Sequence, residues 1–193
     1  MPRWKPDARQ RLVAAALHLF AEKGYDDTTV AQISERAGLT RSTFHRHFND
    51  KRDILTAGQE TLSRLLAEGI DAAPADATPM TAVAAGLERA SGRMTAFNRE
   101  LGPLMHAAIE ANDELKQRSA SKSTGMAAAM VDALRKRDVP ETVARVAAEL
   151  GVLAFQLAFS RWTDPTRDED PGELAPLTHA ALEELRAAAA ELG

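Results

Sequence analysis

Two helical stretches of only about two turns each, pinned by cap residues on either side of Gly38, constrain this chain more than any other feature. Helices that short are not stable in isolation, so each must be held by its neighbours. The first begins at Thr29, whose hydroxyl can accept from the backbone while Gln32 reaches back, and stops at Gly38. The second, Arg41 to His47, is capped by Thr40. Glycine at the junction suits a tight turn between crossing helices. Ser34 is small enough for a close crossing, and Val30, Ile33, Ala37, Leu39 and Phe44 supply apolar contacts that fix its angle. If Phe44 points inward, steps of about 100° per residue put Ser42 and Arg46 on the opposite face, with Thr43 and His45 on the flanks.

The other periodic segments also repeat at helical spacing, and Ala, Leu, Glu and Arg dominate, so the expected fold class is all-α with about nine helices. A first helix starts at Asp7, with Gln10 completing a capping box, and runs through Leu12, Ala16, Leu19 and Phe20 to Gly24. A fourth, capped by Asp50, carries Ile54, Leu55, Leu62, Leu65 and Leu66 on one stripe. The prolines of Ala72 to Pro79 interrupt the pattern. Further helices are expected at about Met80–Asn98, Pro103–Ala111, Asp113–Lys136, Glu141–Trp162 and Glu173–Leu192, with an acidic, mobile loop from Thr163 to Gly172. The organisation expected is a three-helix head, residues 1–55, and a larger helical body, residues 56–193, sharing the helix that begins at 51.

Composition narrows the function classes. The chain has 193 residues, 45% of them hydrophobic, and no uninterrupted apolar run near the roughly 18 residues of a membrane span. The absence of cysteine removes disulfides, thiolate metal sites and cysteine nucleophiles. Met1 to Pro6 has no apolar stretch behind Arg3 and Lys5, so no secretory signal is read and a cytoplasmic location is expected. The net charge of −4 argues against a protein that coats nucleic acid, yet Met1 to Glu60 holds ten Lys and Arg against eight acids, leaving −6 for the remainder. A local basic head on an acidic body fits one DNA-contacting end.

The outward residues of the second short helix suit that contact. Arg41 can offer a bidentate fork to a guanine edge, and Ser42 or Thr43 can donate to bases or touch a thymine methyl. Thr29 and Lys51 stand at helix starts, where a hydroxyl or ammonium adds phosphate contacts. A short helix, a glycine and a short helix occur together in many all-α proteins. Here they sit within a longer pattern, Arg9 to Leu55, containing LHLFAEKGYDDTTVAQISERAGLTRSTFHRHFNDKRDIL. That stretch resembles the N-terminal domain of TetR-family repressors, through Phe20 to Gly24, Thr29, Ile33, Ala37, Gly38, the STFHRHF block and Lys51. The resemblance implies a cytoplasmic homodimer of nine-helix subunits that binds a palindromic operator on double-stranded DNA and releases it when a small-molecule effector enters the C-terminal domain. It implies no cofactor and no enzymatic activity. His45 departs from the pattern, standing where the family usually has a tyrosine that meets a phosphate. Either its ring N–H makes that contact, more strongly when protonated as pH falls toward about 6, or it merely packs or is solvated.

In the body, Val143, Val146, Ala147, Leu150, Val152, Leu153, Ala154, Leu157 and Ala158 make an apolar surface too broad for a helix packed on one side. The last helix adds Leu174, Leu177, Ala180, Ala181, Leu185, Ala188 and Leu192, and the two helices with their symmetry mates suit an intersubunit four-helix bundle. The alternative is that both stripes fill the core of one subunit. Met94, Phe97, Met105, Met126, Met130, Phe155 and Phe159 are adaptable or aromatic side chains that either line an effector pocket or form core, with Leu101, Leu104, Ile109 and Leu134 among them. Arg93, Asn98, His106, Glu110 and Asn112 are candidate polar contacts to an apolar or amphipathic effector. His106 and Glu110 share a helix face but lack a third metal ligand, and His45 and His47 diverge, so no metal site is read. Two other functions stay open on the residues alone: a helical enzyme using His106 with Glu110 as a base, and an adaptor whose head binds protein.

Overall fold

The computed structural model describes residues 7–166 and 170–191. The basic residues Arg3 and Lys5, the centre of the Thr163 to Gly172 loop and Leu192 lie outside them. The described residues form nine α-helices, one 3-10 turn and no strand. The helices are α1 (Ala8–Lys23), α2 (Val30–Arg36), α3 (Arg41–His47), α4 (Gln59–Asp71), α5 (Pro79–Ser91), α6 (Ala96–Ala111), α7 (Asp113–Arg135), α8 (Glu141–Thr163) and α9 (Leu174–Ala190), with the 3-10 turn at Lys51–Ile54.

The local capping chemistry is as the residues suggest. Asp7 accepts from the Gln10 backbone at 2.8 Å while the Gln10 side chain accepts from the Asp7 N–H at 3.1 Å. Thr29 and Gln32 repeat the exchange at 3.3 and 2.9 Å.

Three boundaries differ from expectation. The fourth helix does not begin after Asp50. The Asp53 carboxylate accepts from the backbone of Asn49 and Asp50 at 3.0 and 3.3 Å, closing a 3-10 turn. Gly58 then takes φ 85°, a left-handed conformation that separates the turn from α4. The expected Met80–Asn98 helix is split, since α5 stops at Ser91. Finally, α6 starts before Pro103 and carries it inside. Thr95 nucleates it by accepting from Asn98 and Arg99. Pro103 is tolerated because the preceding residue, Gly102, has no Cβ to clash with the proline ring.

The chain divides into two compact units. The first comprises residues up to Ala57 together with Pro103–Ala120; the second comprises Gly58–Gly102 and the residues from Ser121 onward. In the first, Leu12, Ala16, Leu19 and Phe20 of α1 are buried, as are Ile33 of α2 and Phe44 of α3. The second has its own core of Leu66 and Ile70 from α4, Val83 and Leu87 from α5, Met126, Met130 and Leu134 from α7, Ala148, Val152 and Phe155 from α8 and Leu174 and Leu182 from α9. Backbones meet where α4 and α5 cross: a Cβ on Gly69 would sit 2.6 Å from the Ala85 carbonyl. Arg137 closes the end of α4 by donating to the carbonyls of Ile70, Ala73 and Pro74.

By length and composition, α8 could cross a membrane. Arg145 and Glu149 interrupt its apolar residues, so counting an uninterrupted run did not reveal it. Its apolar surface has two parts. Ala144, Ala147, Ala148, Gly151 and Phe155 face the core. Val143, Val146 and Leu153 instead stand 45, 57 and 47% exposed, the large apolar side chains most open among the described residues.

Candidate functional site

The turn between α2 and α3 sets the direction of the candidate DNA contacts on α3. Gly38 has φ 62° and its N–H donates to the Glu35 carbonyl at 2.9 Å, while Leu39 donates to Ser34 at 2.8 Å. Ser34 is buried, and its hydroxyl donates to Val30 at 2.8 Å, satisfying the group that the close crossing covers. Arg11 of α1 donates from one guanidinium nitrogen to the carbonyls of Ala37 and Gly38. A Cβ on Gly38 would lie 2.9 Å from that nitrogen. Arg36 and Glu22 form a two-pronged pair at 2.5 and 2.6 Å linking α2 to α1, and the Arg36 hydrogen bond holds the Glu22 carboxyl below its ordinary range.

On this frame α3 presents a clean division. Phe44 is fully buried, packed with Phe48. Arg41, Ser42, His45 and Arg46 are exposed, and Thr43 is half-buried. The Thr43 hydroxyl lies 3.0 Å from that of Thr40 and accepts from Arg46 at 3.2 Å, so it is partly occupied within the helix. The His45 ring stands edge-on to Phe44, with centroids 5.4 Å apart, and remains exposed. Thr29 is exposed at the start of α2.

Lys51 has a different setting. Its ammonium donates to the carbonyls of Tyr25, Asp26 and Thr28 at 2.7, 3.2 and 2.9 Å, and it lies 4.2 Å from the centre of the Tyr25 ring. Three donors meet three acceptors, so this lysine holds the loop before α2. Tyr25 is itself buried, edge-on to Phe20, and its hydroxyl has no hydrogen-bond partner among the described residues. Burial pushes its phenol up to about 12, with Glu114 and Asp50 adding to the shift. Sequence reasoning missed Arg11 and the loop-holding geometry of Lys51, because both act on carbonyls more than 20 residues away.

Of the candidate pocket residues, Met126, Met130 and Phe155 are buried in the core of the second unit, and Met94 and Phe159 pack against it. The rings of Phe155 and Phe159 stack with centroids 6.1 Å apart. Phe97 is half-buried in the same unit. Met105 and His106 are not gathered with them, since they fall in the stretch of α6 that belongs to the first unit. Leu101 and Ala108 mark the buried side of α6. His106, five residues past Leu101, is turned about 140° away and is exposed. Arg93 and Glu110 are also exposed. Asn98 accepts from Thr95, while Asn112 accepts from Leu115 at the start of α7 and donates to the Asp26 carboxylate at 3.4 Å. No group of three potential metal ligands occurs among the described residues.

The family model described as bacterial regulatory proteins, tetR family, matches residues 12–57. The chain is 43% identical over 51 residues to the HTH-type transcriptional regulator SrpR of Pseudomonas putida, an overlap of 26% of this chain and 24% of that protein. It is 30% identical over 86 residues to the HTH-type transcriptional regulator TcmR of Streptomyces glaucescens, covering 45% of this chain and 38% of that protein. The chain thus spans well under half the length of these curated relatives. Its fold is similar to the crystal structure of NalD, the secondary repressor of the MexAB-OprM multidrug efflux pump in Pseudomonas aeruginosa, with a TM-score of 0.58 at 20% identity, over 92% of this chain and 95% of that one.

Proposed function

We propose that this chain, which carries a TetR-family DNA-binding domain at residues 12–57, is a cytoplasmic homodimeric regulator of transcription, most simply a repressor, that releases a palindromic operator when a small molecule enters its C-terminal unit. The observation that carries the reading is α3: Arg41, Ser42, His45 and Arg46 exposed on a helix whose opposite side is anchored by fully buried Phe44. Arg41 and Ser42 at its leading end read base edges; Thr29 and His45 serve phosphates. Lys51 supports this contact from behind, by fixing the loop that positions α2.

Two reading helices must lie about 34 to 36 Å apart to enter successive major grooves, so the operator is bound by a dimer. The exposed Val143, Val146 and Leu153 stripe on α8, with α9, is the dimer surface. The aromatic and methionine-rich core of the second unit takes the effector, which is apolar over most of its surface. Release follows from a change in the spacing of the two reading helices.

The test is operator binding against salt concentration. Wild type should lose affinity steeply as salt rises, and Arg41→Ala should weaken operator binding by about 10-fold or more, with less discrimination between bases at one position. Unchanged operator selectivity in Arg41→Ala would overturn the assignment of α3 as the reading helix.

A further inference from the structure

Arg9, in the first turn of α1, carries a charge that the head leaves without a counterion. Eight lysines and arginines fall between Asp7 and Ala57, and the fold itself uses four of them. Arg11 and Lys51 donate to backbone carbonyls, while Arg36 and Arg52 pair with Glu22 and Asp50 at 2.5 and 2.9 Å. Arg9, Lys23, Arg41 and Arg46 have no carboxylate within ion-pair distance among the described residues. Arg41 and Arg46 stand exposed on α3. Lys23 lies 14 residues further along α1, about 21 Å from Arg9.

Arg9 is exposed, and its guanidinium lies over the Phe48 ring, 5.3 Å from the centroid. Phe48 is the residue that ends α3. Its N–H donates to the Phe44 carbonyl at 2.9 Å, its ring packs 5.6 Å from the Phe44 ring, and it is buried. This platform holds a charge from α1 at the trailing end of the reading helix. An aromatic face attracts a guanidinium without using its N–H donors, which stay available to an oxyanion. Arg9 makes no side-chain hydrogen bond among the described residues, so its donors are open.

We infer that Arg9 is a DNA phosphate contact positioned by Phe48, through which α1 grips the sugar-phosphate strand beside the groove that α3 enters. This rests on the reading of α3 as the recognition helix and extends the footprint to a second helix. Arg9 also precedes residues 12–57, the span of the family match. A recognition helix meets base edges with its N-terminal residues, here Arg41 and Ser42, while the first helix crosses the backbone. Arg9 therefore adds affinity that is independent of sequence.

The experiment uses an operator selected by the wild-type chain from a random-sequence duplex pool, and a scrambled duplex of equal length, each titrated over a salt series. Arg9→Gln should lower the slope of log K against log salt by about 2, since a dimer loses two phosphate contacts at about 0.9 each. The same slope corresponds to an affinity loss of about 10- to 30-fold near 0.15 M salt, equal for the two duplexes. Arg9→Lys should keep the wild-type slope and recover part of the affinity, because the charge remains but the stacked fork does not. In a Phe48→Leu background, Arg9→Gln should cost less than in wild type, since the platform has gone. Melting of free Arg9→Gln should match wild type, because the side chain is exposed. The inference is overturned if Arg9→Gln keeps the wild-type slope, if it alters base preference, or if its melting temperature falls while binding does not. An equal cost in the Phe48→Leu background would overturn the positioning by Phe48. Arg41→Ala that loses selectivity while Arg9→Gln binds as wild type leaves the regulator reading standing and removes this one. A wild-type chain that selects no sequence and binds neither duplex removes both.

Discussion

Replacing Val146 by glutamate tests the α8 surface with a magnitude that follows from exposure. Val143, Val146 and Leu153 are 45, 57 and 47% exposed in the single chain. Fully burying such a side chain is worth about 1.5–3 kcal/mol, so covering the half still open contributes about 1 kcal/mol each. A twofold axis doubles the set to six side chains, about 6 kcal/mol in total, or about four orders of magnitude in dissociation constant. Val146→Glu removes two of the six, and desolvating two carboxylates near the axis adds a further cost of at least about 1 kcal/mol. The dimer dissociation constant should therefore rise at least about 100-fold. The subunit itself should be unharmed, because Val146 is the most exposed large apolar residue among the described residues and glutamate has a better helix propensity than valine. Sedimentation velocity over a concentration series reads the effect directly, with circular dichroism confirming an unchanged helix content. Val146→Leu, which keeps the apolar surface, should remain dimeric. A Val146→Glu protein that sediments as a dimer with a dissociation constant within threefold of wild type would refute the stripe as the interface.

Two further predictions concern the head. Tyr25→Phe removes a buried hydroxyl that has no partner, while keeping the ring that packs on Phe20 and faces Lys51; urea unfolding should show a gain of about 1 kcal/mol, and a loss of that size would mean the hydroxyl is hydrogen-bonded in solution. Because the folded phenol is pushed up to about 12 from its ordinary 10, the unfolded chain sheds that proton first, so wild type should lose stability as pH rises above about 10 and Tyr25→Phe should lose less. Gly38→Ala forces an alanine into φ 62° with its Cβ 2.9 Å from Arg11 and should cost about 1–2 kcal/mol by chemical denaturation; an unchanged midpoint would mean that the turn relaxes without that conformation.

What could be read from the sequence divides by the range over which each interaction acts. Caps operate within three residues, so the exchanges at Asp7 and Thr29, and the glycine between two short helices, were visible in the order of the residues. Gly58 was not, because Asp50 and Asp53 favour a 3-10 turn and an α-helix start in nearly the same way, and only the left-handed glycine ends the ambiguity. Pro103 misled for a related reason: a proline usually marks a first turn, but Gly102 before it removes the clash that would have enforced one. The breadth of apolar residues on α8 was legible as a surplus over what one core can bury, and the open valines are where that surplus lies. Residue type alone proved weakest inside α6, where His106 was selected for its chemistry and points outward. Lys51 stands at a helix start as a phosphate contact would, and its three carbonyl partners come from a loop more than 20 residues away, which no local pattern reveals.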